Sequence, residues 1–354
     1  MTLDRYVLRM LLLRTVVTAL VLVGLVQVLE LLDVTTDILQ RGLGAAGIAR
    51  YSLLRLPGQF QQVASLSMLV GAIFTFTQLA RNSEMVVIRA TGANIYRVLR
   101  MMLPAALALA AVDFVVASEI APRTQAELTH WMASTSPKKD AKPTKPHWFR
   151  LGKDLVLVSA ISDDGRSLKD VRIYRRDENR LLTEEIVAPT ATAAPGGWRL
   201  HAATVRRVQS DTATLSAPGE IDWRTSLSGG DVLRLFRAGE EIPAGAAISA
   251  VVHAGPTDRS PSFYQTRLQR TLAEPLGALV MLLLSAPAAL ASLRSDQGMR
   301  LFLFGLSSGL LFLVADGLLT AMGETSALPP ILAAWSAPIA FSALALTVLF
   351  YAEG

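Results

Sequence analysis

The apolar residues of this 354-residue chain gather at its two ends, in stretches long enough to cross a bilayer. A hydrocarbon core of roughly 30 Å takes ~20 helical residues. Six segments meet that length: 7–32, 57–80, 98–118, 271–293, 301–322 and 328–351. A content of 51% hydrophobic and 18% charged residues, with mean hydropathy +0.40, is too apolar for an ordinary globular domain. The pattern predicts an α-helical membrane protein with six transmembrane helices, three on each side of a polar middle segment. The apolar run after Arg14 is longer than the core of a signal peptide and no small-residue cleavage site follows it, so the first span is expected to stay in the mature protein.

Cytoplasmic flanks collect Arg and Lys, which sets the expected orientation. Arg5, Arg9, Arg14, Arg81, Arg89, Arg97, Arg100, Arg294 and Arg300 lie on one side, against Arg41, Arg50, Arg55, Arg267 and Arg270 on the other. Both termini are therefore expected in the cytoplasm, with residues 1–120 carrying spans 1–3, residues 266–354 spans 4–6, and residues 121–265 outside. All six lysines fall between Lys138 and Lys169, so no Lys-rich stripe tracks a nucleic-acid backbone and no nucleic-acid partner is expected. The absence of cysteine excludes disulfides, thiolate metal sites and Cys nucleophiles.

The middle segment alternates as strands do. Residues 154–158 (DLVLV), Val171 and Ile173, and Trp198 and Leu200 after the turn Pro195-Gly196-Gly197 predict several short strands, hence an all-β sandwich or jellyroll. Residues 137–147 offer nothing to pack and read as a loop. The four histidines, His130, His147, His201 and His253, match no zinc-ligand spacing, and no metal site is expected.

Three constellations could carry function. The cytoplasmic loop 81–100 (RNSEMVVIRATGANIYRVLR) has the spacing of a short helix over about 82–95, with Glu84 and Arg89 as its charges and Gly92 as its break. A transporter powered by a separate ATPase needs such a helix; a plain loop with positive-inside arginines is the simpler alternative. Carboxylates form the second set: Glu30, Asp33, Asp113, Glu119, Glu274 and Asp316 all fall in the outer half of the expected membrane or at its surface. Carboxylates in hydrocarbon cost roughly 2.5–3.5 kcal/mol each on insertion scales, so they are expected to face an interior or wet cavity, Asp113 and Asp316 deepest, while Glu30, Asp33 and Glu119 have the simpler alternative of interfacial helix ends. Arg267 and Arg270 stand at the same depth, and Arg270 is four residues before Glu274. The third feature is the second span, whose glutamines, serines and threonines alternate with Phe60, Leu66 and other large apolar residues, a mixed wall suited to an amphiphile. Together these mark Glu30, Asp33, Arg55, Phe60, Leu66, Asp113, Arg267, Arg270, Glu274 and Asp316 as the candidate substrate cavity.

Two catalytic patterns fail on context. Gly305-Leu306-Ser307-Ser308-Gly309 spells a nucleophile elbow but lies inside an apolar span with no membrane histidine, and small residues four apart are expected to be a helix-packing face. No phosphate-binding loop is present, so no cofactor is expected on this chain and any ATP hydrolysis belongs to another.

The 3+3 arrangement around a β-rich domain, the loop LARNSEMVVIRATG, the stretches VRIYRRDENRLL and GGWRL, and Asp316 followed by Leu328-Pro329-Pro330 resemble the lipopolysaccharide-export permease family of the LptF/LptG type, closer to its LptG branch. The resemblance implies a permease subunit, not an enzyme, in the inner membrane of a diderm bacterium. It would extract lipopolysaccharide from the outer leaflet and pass it to a β-jellyroll bridge. The implied partners are an LptF-type sister subunit, an LptB-type ATPase dimer that uses the ATP, and an LptC-type jellyroll protein. Glu84, Arg89 and Gly92 would then belong to the coupling helix. Where the family carries basic residues poised for phosphate, this chain has Glu30 and Gly58, and later Thr129 and Met132. Either Arg55, Arg123, Arg267 or Arg270 replaces them, or the headgroup carries less phosphate. Outside the resemblance stand an ion-coupled transporter using Asp113 and Asp316, and a membrane-anchored scaffold for an external partner.

Overall fold

Apolar runs with few breakers build long helices, and in the computed structural model they extend beyond the runs themselves. The structure describes residues 3–82, 84, 94–135, 146–162, 164–178, 181–208, 213–225, 227–237, 259–287 and 296–353. Helices α1 (Leu3–Gln40) and α2 (Gly44–Arg81) each hold 38 residues, about 57 Å at 1.5 Å per residue. Between them Gly42, at φ +74°, ends α1 as a Schellman cap: its N–H reaches the Leu39 carbonyl at 3.0 Å and the Leu43 N–H reaches Ile38 at 3.3 Å. Helix α3 (Ile95–Val115) starts where the Asn94 side chain accepts the Arg97 N–H at 3.1 Å. It passes through a π-helical turn (Val116–Ile120) into α4 (Ala121–Ser134).

After the β strands and a short helix α5 (Gly229–Arg237) come α6 (Pro261–Ala273), a 3-10 turn (Glu274–Leu276), α7 (Gly277–Ser285), α8 (Asp296–Glu324) and α9 (Pro330–Glu353). Among the described residues five helices are long and apolar enough to cross a membrane: Asp4–Gln40, Gly44–Arg81, Ile95–Met132, Phe302–Glu324 and Pro330–Tyr351. Where a fourth span was expected at 271–293, Pro275, which lacks an N–H, sits in the 3-10 turn and divides the described part into α6 and α7. Residues 288–295 of that expected span lie outside the described residues.

The chain divides into two compact units, one of residues 1–128 and 265–354, the other Thr129–Tyr264. In the helical unit a buried core joins Val7 and Leu11 of α1, Met68 to Leu79 of α2, Val98 to Ala106 of α3, Val280 to Leu284 of α7, and Phe312 and Leu349 of α8 and α9. Lipid removes most of the hydrophobic drive between membrane helices, so close packing must hold them, and small residues permit it. A Cβ on Gly71 would lie 2.9 Å from the Thr15 Cα, one on Gly305 3.1 Å from the Leu284 carbonyl oxygen, and one on Gly309 would collide with the Leu69 side chain. The Gly305–Gly309 pair is thus a packing face, and the Ser308 hydroxyl donates to its own helix at Gly305 (3.1 Å).

The second unit is one antiparallel sheet. Strands β1 (His147–Leu151), β2 (Asp154–Ile161), β3 (Ser167–Arg176), β4 (Leu182–Ala194) and β5 (Gly197–Val208) follow one another as a meander. Strands β6 (Ala213–Leu215) and β7 (Gly219–Arg224) both pair with β5, β6 along 206–208 and β7 along 197–203. Three consecutive residues of β2, Val156 to Val158, are buried, and β3, β4 and β5 each step by three residues once between buried positions, in β4 from Ala188 to Ala191. Asp170 (φ +46°) separates Leu168 from Val171, and Ala202 (φ +51°) separates Leu200 from Ala203, so each strand keeps its apolar residues on one face across an extra residue. Trp198, 1% exposed, anchors that face and donates its indole N–H to the Leu227 carbonyl at 2.9 Å. At the β2–β3 turn the Ser162 hydroxyl, with the Arg166 N–H, holds the Asp164 carboxyl below the usual carboxylate range. Of the loop expected at 137–147, residues 137–145 lie outside the described residues, and His147 opens β1, its ring stacked on Phe236 of α5 at 4.4 Å.

Candidate functional site

A polar side chain on an apolar helix needs partners from its own helix or a neighbour, and two clusters in the helical unit supply them. The first grows from a stripe on α2 just over two turns long. Tyr51, Arg55 and Gln59 are four residues apart, so they share a face, and that face meets Glu30 of α1. Glu30 accepts from the Tyr51 hydroxyl at 2.8 Å, the Arg55 Nε at 2.5 Å and the Gln59 amide at 2.6 Å. Arg55 turns its Nη1 to Gln125 of α4 at 3.1 Å, and one turn away Arg50 pairs with Glu127 at 2.7 Å. The Glu30 and Arg55 side chains are each about a fifth exposed.

The second cluster is built around Arg270 of α6. Its guanidinium lies 3.5 Å from Glu274, 3.3 Å from Asp316 of α8, and donates to the Thr320 hydroxyl. A turn earlier, Arg267 pairs with Glu324 at 2.9 Å, and Gln269 accepts the Trp335 indole N–H at 3.1 Å. Asp113 of α3 is 3% exposed, and its Oδ1 has no hydrogen-bond partner among the described residues.

Of the ten expected cavity residues, the structure joins Glu30 to Arg55, and Arg270 to Glu274 and Asp316; Arg267 pairs next to that group, and Asp113 is buried in α3. Asp33 is exposed on α1, Phe60 is half-buried, and Leu66 packs against the helical core. Glu84 accepts from the Tyr6 hydroxyl at 3.2 Å and from the Asn82 amide at 3.0 Å. Arg89 and Gly92 lie outside the described residues. Sequence reading missed Tyr6, Tyr51, Gln125 and Thr320. The 51/55/59 spacing was the available signal for Tyr51, whereas Gln125 and Thr320 are brought in by tertiary packing alone. His201 sits against Thr192 and Glu220 on the sheet surface, and no group that could hold a metal occurs among the described residues.

Comparison with known proteins returns one family. The model of the lipopolysaccharide export system permease LptF/LptG matches residues 5–351. The lipopolysaccharide export system permease protein LptG of Escherichia coli K12 is 24% identical over 359 residues, covering 98% of this chain and 97% of that protein. LptG of Haemophilus influenzae is 24% identical over 363 residues, covering 99% and 96%.

Proposed function

The chain belongs to the LptF/LptG family of lipopolysaccharide export system permeases, and from that premise we propose that it is the LptG-type subunit of an ATP-driven exporter. In this reading both termini lie in the cytoplasm and the sheet unit, forming part of a jellyroll, lies in the periplasm. A sister LptF-type subunit completes the cavity, an LptB-type ATPase dimer supplies the work, and an LptC-type jellyroll receives the lipid. The observation that carries the reading is the family match over both units of the chain, 5–351.

The chemistry supports the division of labour. Each buried methylene holds a lipid in the bilayer by ~0.8 kcal/mol, so a lipid with several acyl chains leaves only against a large opposing free energy. ATP hydrolysis on a partner provides it, and this chain transmits motion. Glu84, held by Tyr6 and Asn82 at the end of α2, lies where the coupling helix of about 82–95 would begin. Glu30, Arg55, Arg270 and Asp316 would line the cavity that narrows as the ATPases close. Most of their charge is satisfied inside the protein, which suits passage of a lipid better than tight retention.

The test is purification of the tagged chain from its native membrane in mild detergent, with mass spectrometry of every co-purified protein and lipid. An ATPase, a related permease and lipopolysaccharide are expected; recovery of the chain alone after cross-linking overturns the exporter reading. In the reconstituted assembly, Glu84→Ala is expected to lower ATP-driven lipid release at least about tenfold, a loss of ~1.4 kcal/mol in coupling, while the subunits stay together.

A further inference from the structure

The segment that follows α2 is fastened to two helices. Its backbone continues α2 through Asn82, whose side-chain amide donates to the Glu84 Oε1 at 3.0 Å, and the same oxygen accepts the Tyr6 hydroxyl of α1 at 3.2 Å. Tyr6 and Glu84 are 78 positions apart, so this bond is a tertiary link and not a local turn. Next to it α1 is locked on α2. Val7 and Leu11 share a buried core with Met68 to Leu79, the Arg14 guanidinium donates to the Phe74 carbonyl, and a Cβ on Gly71 would lie 2.9 Å from the Thr15 Cα. Farther along the same pair of helices Glu30 takes its three donors from α2.

The two helices are covered unequally. Leu13, Val17, Leu20, Leu25 and Leu32 of α1 are each more than half exposed, and among the described residues α1 packs chiefly on α2 and α3, along one side. A helix held along one side can tilt as a rod, whereas α2 is enclosed in the core from Met68 to Leu79. A segment hinged at one point swivels when pushed; fastened at two, it carries the push to both supports. We propose that Tyr6 is a positioning residue for ATP-driven lipid release: its hydroxyl holds Glu84 and passes the movement of the segment after α2 to α1. This role rests on the exporter reading, in which that segment meets the ATPase. The helix that moves is the one that carries Glu30, so work done at one end of α1 reaches the expected cavity residues at the other.

The test uses the assembly reconstituted from the full chain and its co-purified subunits, and counts lipid released per ATP hydrolysed. Tyr6 is 39% exposed, and Tyr6→Phe keeps the ring while removing the hydroxyl. ATP hydrolysis is expected to continue while lipid released per ATP falls about threefold, the lower end of what one hydrogen bond is worth. The same change at the exposed Tyr351 of α9, Tyr351→Phe, should leave the ratio as it was. An equal fall in both variants overturns the inference. In a Glu84→Ala background Tyr6→Phe should add nothing further, because the bond is already gone; an undiminished further fall there means that Tyr6 acts through another contact and overturns the link. An unaltered assembly that releases no lipid with ATP overturns the exporter reading and this inference together, whereas a working assembly whose ratio Tyr6→Phe leaves unchanged overturns the inference alone.

Discussion

Glu30 takes three donors, from Tyr51, Arg55 and Gln59, and so fixes where α1 and α2 meet near one end of the helical unit. Glu30→Gln keeps the shape and removes the charge. It is expected to cost about 1.5–3 kcal/mol, the range for hydrogen bonds to an ionised group, seen as a lower midpoint of thermal unfolding in detergent. A double-mutant cycle with Arg55→Gln should return a coupling of at least about 1 kcal/mol; simple additivity would mean the pair is only a neighbourly contact. Such residues were half legible beforehand. Arg270 and Glu274 could be paired from their spacing of four, and Asp113 and Asp316 stood out as charges deep in apolar sequence. Gln125, Thr320 and Tyr6 could not, because nothing local marks a polar residue whose partner is 50 or more positions away.

Helices and strands were legible to different degrees for reasons that show in their ends. The apolar runs located α1 and α2, but both continue through polar residues such as Asp37 and Arg50, which stay helical because i,i+4 pairs and interhelical bonds hold them, as Arg41 holds Asp37 at 2.8 Å. The strand alternation at Val171, Ile173, Trp198 and Leu200 held, while the extra residues at Asp170 and Ala202 were invisible to a period-two pattern. Helix contacts make a sharper prediction. A methyl on Gly71 would meet Thr15 backbone, which cannot yield, whereas one on Gly309 would meet only the end of the Leu69 side chain. Gly71→Ala is therefore expected to destabilise by about 1–3 kcal/mol, the usual cost of overpacking, and Gly309→Ala by visibly less. Side-by-side thermal unfolding of the two variants checks the order.

For the molecule as a whole, the chain contains no cysteine, so single cysteines report topology without background. With the sheet unit outside, Glu178→Cys in the exposed β3–β4 turn should react with a membrane-impermeant maleimide in intact spheroplasts, and Asn82→Cys only after lysis; the reverse pattern inverts the proposed orientation. The division into a helical and a β unit was foreseeable because hydropathy separates them along the chain, whereas the order of the strands, with β6 and β7 both on β5, depends on pairings that hydropathy does not encode. The π turn at Val116–Ile120 has its own consequence at this scale. A π turn is an α-helix that has accommodated one additional residue. Deleting Ala117 would let the backbone close into regular α-helix while the residues beyond it keep their facing, because the wide turn takes up its extra residue locally. Gln125 and Glu127 would then still face Arg55 and Arg50, whereas a deletion within the regular helix Ile95–Val115 would turn everything beyond it by about 100°. The turn acts as slack in the chain: a descendant one residue shorter there keeps the partners of both arginines.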